Sequence, residues 1–178
     1  MRVLPISILD DTLQAIRDGR QKQLRRPAGL LSRCRPGDCL WIRERFHLPA
    51  RWDAFSPTAA TRAGATASFA IDGVPEGAGR RRFARELPAA LHRMHLRVLA
   101  ARVEQIQDLT EFDAIAEGAA SRADFMTHWN CVHARAGAGL FGKQIRWADN
   151  PRVVVLRFDL VEVPLPMAAF AEREKAVA

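Results

Sequence analysis

A chain of 178 residues, 48% hydrophobic and 26% charged, has ordinary globular composition and can bury one sizeable core, which argues against a disordered or fibrous protein. No apolar run approaches the roughly 18 residues needed to span a bilayer, the N-terminal apolar run meets Asp10 and Asp11 too soon for a signal peptide, and three cysteines do not suggest a disulfide framework. A cytoplasmic, reduced protein with a formal net charge of +7 is expected, without a membrane partner.

Residues 3–9 are short, apolar and β-compatible, and predict a strand. Asp10 or Asp11 caps the helix that follows, with Leu9, Leu13 and Ile16 on one face and Gly19 closing it. The basic segment 18–26 then runs as loop or strand to Pro27. Pro36-Gly37-Asp38 is a turn, because proline fixes one dihedral and glycine supplies the unusual one. Over 39–46 apolar Leu40, Ile42 and Phe46 alternate with other side chains, the pattern of a half-buried strand. Residues 47–88 show little periodicity and many Ala, Gly, Pro and Thr side chains. They read as a loosely structured, variable insertion, with Arg80-Arg81-Arg82 an exposed loop.

Residues 94–106 alternate again and predict a long strand. Thr110 with Asp113 opens a helix that runs to Glu117 and stops at Gly118. Ser121 caps a second helix carrying Phe125, Met126, Trp129 and Val132 at helical spacing, with Cys131 as a buried thiol. Residues 135–142 form a Gly-Ala loop, and 152–163, apolar and β-branched, predict a central strand. Strands separated by short helices without a repeating βαβ pattern fit an α+β, barrel-like domain over 1–163, followed by a frayed or disordered tail, 164–178.

Charge is concentrated near the start. Between Arg17 and Arg51 ten basic residues stand against three acidic ones, a surplus as large as the net charge of the whole chain. Arginine and lysine gain affinity for polyanions by displacing condensed counterions, so phosphate is the natural partner. The plainer alternative is a solvated basic face, since 24 of the 27 basic residues are arginine and coding bias alone can produce that.

The order of residues adds to this. Gly19, Arg25, Arg26, Pro36-Gly37-Asp38, Trp41, Arg43 and Glu44, then Arg93, the run from Arg102 through Glu111, Ala114-Ile115-Ala116-Glu117-Gly118, Trp129 and Asn150-Pro151 to Phe158, follow one another with familiar spacing. In this order the chain resembles the ASCH family of the PUA-like superfamily, in the longer version found in phage and prophage genomes. The resemblance covers the chain apart from 46–92 and the tail after Val163. It implies a PUA-like small β-barrel flanked by short helices, interrupted by the 47–88 insertion, and binding of RNA or a nucleotide-like ligand.

In small members of that family that hydrolyse acetylated cytidine, a Lys, a Thr and a Glu form the active group. Here Gln21 stands at the Lys position, Lys22 at the first Thr and Leu24 at the reactive Thr, while Glu117 keeps the carboxylate. Neighbouring side chains of an extended segment point to opposite faces, so Lys22 is poorly placed to replace the amine. Loss of the amidohydrolase reaction, or its transfer to other residues, is expected. Glu117 and Lys22 remain the candidate catalytic pair, for example in RNA cleavage. The alternative for Glu117 is a solvated acid, although the C-terminal end of a helix is an unfavourable place for one.

Arg25, Arg26 and Arg43 are the candidate phosphate contacts, because a guanidinium fork matches phosphate geometry. Glu44 is placed to pair with Arg25 or Arg26 across a cleft, or to form a structural ion pair. Trp41 stacks a base if exposed and belongs to the core if buried. The cysteine and histidine spacings carry no zinc pattern, Gly137, Gly139 and Gly142 follow a helix rather than a strand, and no metal or cofactor is expected. The functional expectation is an RNA- or nucleotide-binding domain. A hydrolase acting on RNA or a modified nucleoside, and a non-catalytic phage-derived interaction protein of unspecified protein partner, are its alternatives.

Overall fold

The computed structural model of the protein describes residues 1–133 and 145–170. The Gly-Ala loop and residues 171–178 of the tail lie outside them. Among the described residues the elements run β1 (Val3–Ser7), α1 (Asp10–Arg17), β2 (Gln23–Pro27), β3 (Cys39–Arg43), β4 (Phe46–His47), α2 (Pro57–Arg62), β5 (Ser68–Phe69), β6 (His95–Gln105), α3 (Glu111–Ala116), α4 (Arg122–His133) and β7 (Arg152–Val161). Short 3-10 turns connect several of them. Five strands form one sheet in the order β1-β3-β6-β7-β2, and β4 pairs with β5 separately. The fold is mixed α+β. The sheet is open, so the closed barrel expected from the sequence is not formed by it. No helix among the described residues is long and apolar enough to cross a membrane.

The chain divides into two compact units. The first comprises Met1–Gln14, Asp38–Arg97 and Leu160–Ala178. Here β1 runs parallel to β3, with Leu4 opposite Leu40 and Ile6 opposite Ile42, and β3 pairs antiparallel with the start of β6. Cys39, Leu40, Trp41 and Ile42 are all buried, so both faces of β3 are covered. The half-buried strand expected from the alternation is instead covered on both faces, because Cys39 and Trp41 are apolar too and pack into a core cluster. A hydrophobic cluster joins Val3, Cys39 and Trp41 to Phe46, Leu48, Ala60, Ala65, Phe69, Leu87 and Leu165. Five of these ten lie between 47 and 88, where the sequence reads as loose. Alanine is small enough to pack there without periodicity, as in α2, which Ser56 caps through Oγ accepting from the Ala59 N–H. Leu9, expected on the buried face of α1, is exposed, while Leu13 and Ile16 are buried.

The second unit comprises Ala15–Gly37 and Val98–Asp159. Its centre is β7, whose residues Val153, Val154, Val155 and Leu156 are sealed from solvent and pair antiparallel with β2. Gln23 lies opposite Arg157 and Pro27 opposite Val153. Ile106, Leu109, Ala114, Phe125, Trp129, Trp147, Val153 and Val155 form its hydrophobic cluster. The Thr110 hydroxyl caps α3 by accepting from the Asp113 N–H at 3.1 Å. Gly118 ends it with φ +82°, a left-handed conformation that favours glycine. Cys131 on α4 is exposed rather than buried. The period of α4 places Phe125 and Trp129 inward, and Cys131 lies on the other side.

Candidate functional site

The second unit gathers charge at one point. Strand β2 carries Gln23 and Arg25 two residues apart, hence on one face. From that face the Arg25 guanidinium, on a residue only 2% exposed, meets three carboxylates. Its Nη1 donates to Glu117 Oε1 at 2.9 Å, its Nη2 and Nε to Glu104 Oε1 at 2.7 and 3.2 Å, and Nη2 lies 3.3 Å from Asp113 Oδ2. The Arg25 backbone N–H also donates to Glu117 Oε2 at 3.0 Å. Both oxygens of Glu117 are thereby held by one residue.

A second ring of contacts fixes the other two acids. Arg102 donates through Nε to Glu104 at 2.6 Å and through Nη2 to Asp113 at 3.1 Å. Gln23 Nε2 donates to Asp113 Oδ1 at 3.0 Å. Alternation in β6 puts Arg102 and Glu104 on a common face, and the first turn of α3 supplies Asp113. Arg102, Glu104 and Asp113 are the members that the sequence reading did not assign to a site. The spacing Arg102-x-Glu104 in a strand was the available signal.

Burial and pairing then divide the acids. Burial raises the Asp113 carboxyl, but the Gln23 hydrogen bond, the Arg25 charge and the bonds from Arg102 and Thr110 together outweigh it, and it rests at about 2. Burial dominates at Glu117, 8% exposed, and pushes it up to about 7 against the downward pull of Arg25, Arg26 and Gln23. One acid is therefore fixed as an anion, and the other can exchange a proton near neutrality.

These contacts correct the role expected of Arg25. With its side chain closed to solvent and its donors directed at carboxylates, it clamps Glu117 and is not available to a phosphate. Arg26 differs. It is half-buried, donates from Nη1 to the Arg25 carbonyl at 3.0 Å, and has no carboxylate ion partner among the described residues. Burial lowers its pKa, partly countered by Glu117, so the two groups sense each other. Lys22 is exposed, its backbone N–H donating to the Ala116 carbonyl at 3.0 Å, while Gln21 is buried and donates to the Gln23 carbonyl at 3.0 Å. Leu24 is buried core.

Trp41, Arg43 and Glu44 belong to the first unit. Trp41 is 3% exposed, within a ring cluster with His92 and Phe170, and its face is covered by the Arg43 guanidinium 4.8 Å from the ring centroid. It is core, and no face is left for a base. Glu44 does not wait on Arg25 or Arg26: it accepts from Arg93 Nε at 3.0 Å and Nη2 at 2.6 Å. Arg93 also pairs with Asp72 and lies over the Phe69 ring. Sequence distance hid this pair, because Arg93 stands 49 residues away. Among the described residues no group of three or more His, Cys, Asp or Glu side chains is arranged to hold a metal ion.

Fold and site together define a mixed α+β protein with an arginine-clamped, buried carboxyl group. No protein-family model, curated protein or solved structure matches the chain.

Proposed function

We propose that this protein binds RNA or a nucleotide-like ligand, with Arg26 as the phosphate contact beside the Glu117 carboxyl. The observation that carries the reading is the contrast between adjacent arginines. Arg25 is neutralised by three acids, whereas Arg26, half-buried, has none as an ion partner among the described residues. A partly desolvated guanidinium attracts a phosphate more strongly than a fully hydrated one. The surplus of basic residues over 17–51 supplies the surrounding field. The ASCH resemblance and its PUA-like fold belong to this proposal. Arg43 and Trp41 take a supporting place in it, as a covered strand rather than as ligand contacts.

The test is binding of single-stranded RNA and of nucleotides by wild type and Arg26→Gln across a salt series. Wild-type affinity falling with salt, and weakened about tenfold or more in the variant, is expected. Equal affinity of the two proteins sinks the reading.

One observation favours a second reading, a hydrolase acting on RNA or a modified nucleoside. A carboxyl poised at about 7 is suited to move protons at neutral pH, and Lys22, whose backbone N–H donates to the Ala116 carbonyl next to Glu117 in the chain, is exposed to offer charge. Glu117→Gln should then abolish product formation from RNA or acetylcytidine while binding survives. Absence of turnover in wild type ends that reading alone.

A further inference from the structure

Arg82 lies in the first unit and is 1% exposed. A charge sealed this far from water ordinarily has a carboxylate in direct contact. Its Nη2 instead donates to the carbonyl oxygens of Trp52 at 2.9 Å and Phe55 at 3.1 Å. The Asp53 carboxylate reaches only to 4.0 Å, and both of its oxygens accept from the Arg80 backbone N–H at 3.0 Å. Nε and Nη1 of Arg82 have no hydrogen-bond partner among the described residues. Nε of Arg45 is in the same condition, while Arg45 Nη2 pairs with Asp10 at 2.5 Å.

Arg45 and Arg82 line one cavity of about 350 Å³, together with exposed Arg81, Ile8, Leu9 and Phe83. Three arginines among the lining residues, with Asp10 paired to Arg45 and Asp53 at 4.0 Å from Arg82, leave a surplus of positive charge around a partly apolar hollow. The volume is of the order that takes a small molecule. Arg82 is closed to solvent, so an anion in the hollow acts on it as countercharge rather than by contact, while Arg45, partly exposed, and Arg81, exposed, are open to direct hydrogen bonds.

We propose that this cavity binds a small phosphorylated molecule, its phosphate against Arg45 and Arg81 with the sealed Arg82 charge behind them, and its carbon skeleton against Leu9 and Phe83. Phosphate fits better than carboxylate because the lining carries three cations and a phosphate ester carries about two negative charges and three terminal oxygens. The site is separate from Arg26 and Glu117 and does not depend on them.

Titration calorimetry of the full chain with inorganic phosphate and with glycerol 3-phosphate, at ionic strength balanced with chloride, tests this. Saturable binding is expected, tighter for glycerol 3-phosphate, and weakened about tenfold or more in Arg45→Gln and further in Arg45→Gln with Arg81→Gln. Arg82→Gln also removes the bonds to Trp52 and Phe55, so the Arg45 and Arg81 variants carry the test if that variant fails to fold. The proposal is overturned by any of the following results. They are a response that chloride reproduces, affinity unchanged in the Arg45 and Arg81 variants, and equal affinity for the two phosphates. Binding lost in Arg26→Gln but kept in Arg45→Gln also overturns it, by moving the anion to the second unit.

Discussion

Glu117 must choose between a proton and a charge in a place that water hardly reaches. Its carboxyl in the folded protein stands at about 7 against an ordinary 4.5. Between those values the folded chain keeps a proton that the unfolded chain has released. This contribution to stability is full below pH 4.5 and is lost as pH rises through 7, amounting to about 3 kcal/mol. His133 works in the opposite sense. Burial, then Arg26 and His128, lower it to about 4 from 6.5, so its contribution is present above 6.5 and lost as pH falls through 4. The two partly cancel in the wild type. Comparison with Glu117→Gln separates them: from pH 4.5 to 7 the wild type should lose about 3 kcal/mol relative to the variant in urea unfolding. A difference constant with pH contradicts the raised carboxyl. Arg25 gives a second prediction. Arg25→Ala leaves buried acids without their cation and should destabilise by about 3–5 kcal/mol, and Arg25→Lys should recover only part, since an ammonium cannot reproduce the fork. Full recovery by lysine in the same measurement would show that charge alone suffices.

Elements explain what was legible. Strands β1, β6 and β7 and helices α3 and α4 follow from local pattern: alternation, a Thr110 cap, a Gly118 stop. Thr110→Ala should cost about 1 kcal/mol by removing the cap, read as a lower denaturation midpoint. Gly118→Ala should cost more than the cap, because a Cβ there would meet Gln21 Oε1 at 3.3 Å and the residue sits at φ +82°. Other features were not legible because they arise from pairs distant in sequence. Arg25 is 79 residues from Glu104 and 92 from Glu117, and spacing cannot announce such a meeting. The 47–88 stretch shows the same limit. Leu48, Ala60 and Phe69 belong to one core cluster without any period, so composition suggested looseness where these side chains are buried. Arg82, read as loop, is buried because Trp52 and Phe55 offer it carbonyls.

At the scale of the whole molecule, charge and core have separate duties. The excess of arginine is divided between guanidinium groups matched to acids, as at Arg25 and Arg93, and others such as Arg26 that have no acid as an ion partner among the described residues. The count of 27 basic residues therefore overstates what a polyanion can engage, and only unmatched groups should set the salt dependence. Binding of single-stranded RNA by wild type and Arg26→Gln, followed as log affinity against log salt, measures that directly. Removal of one phosphate-contacting guanidinium should weaken binding about tenfold and reduce the slope by about 1. Identical affinity and identical slope in both proteins would mean that Arg26 meets no phosphate.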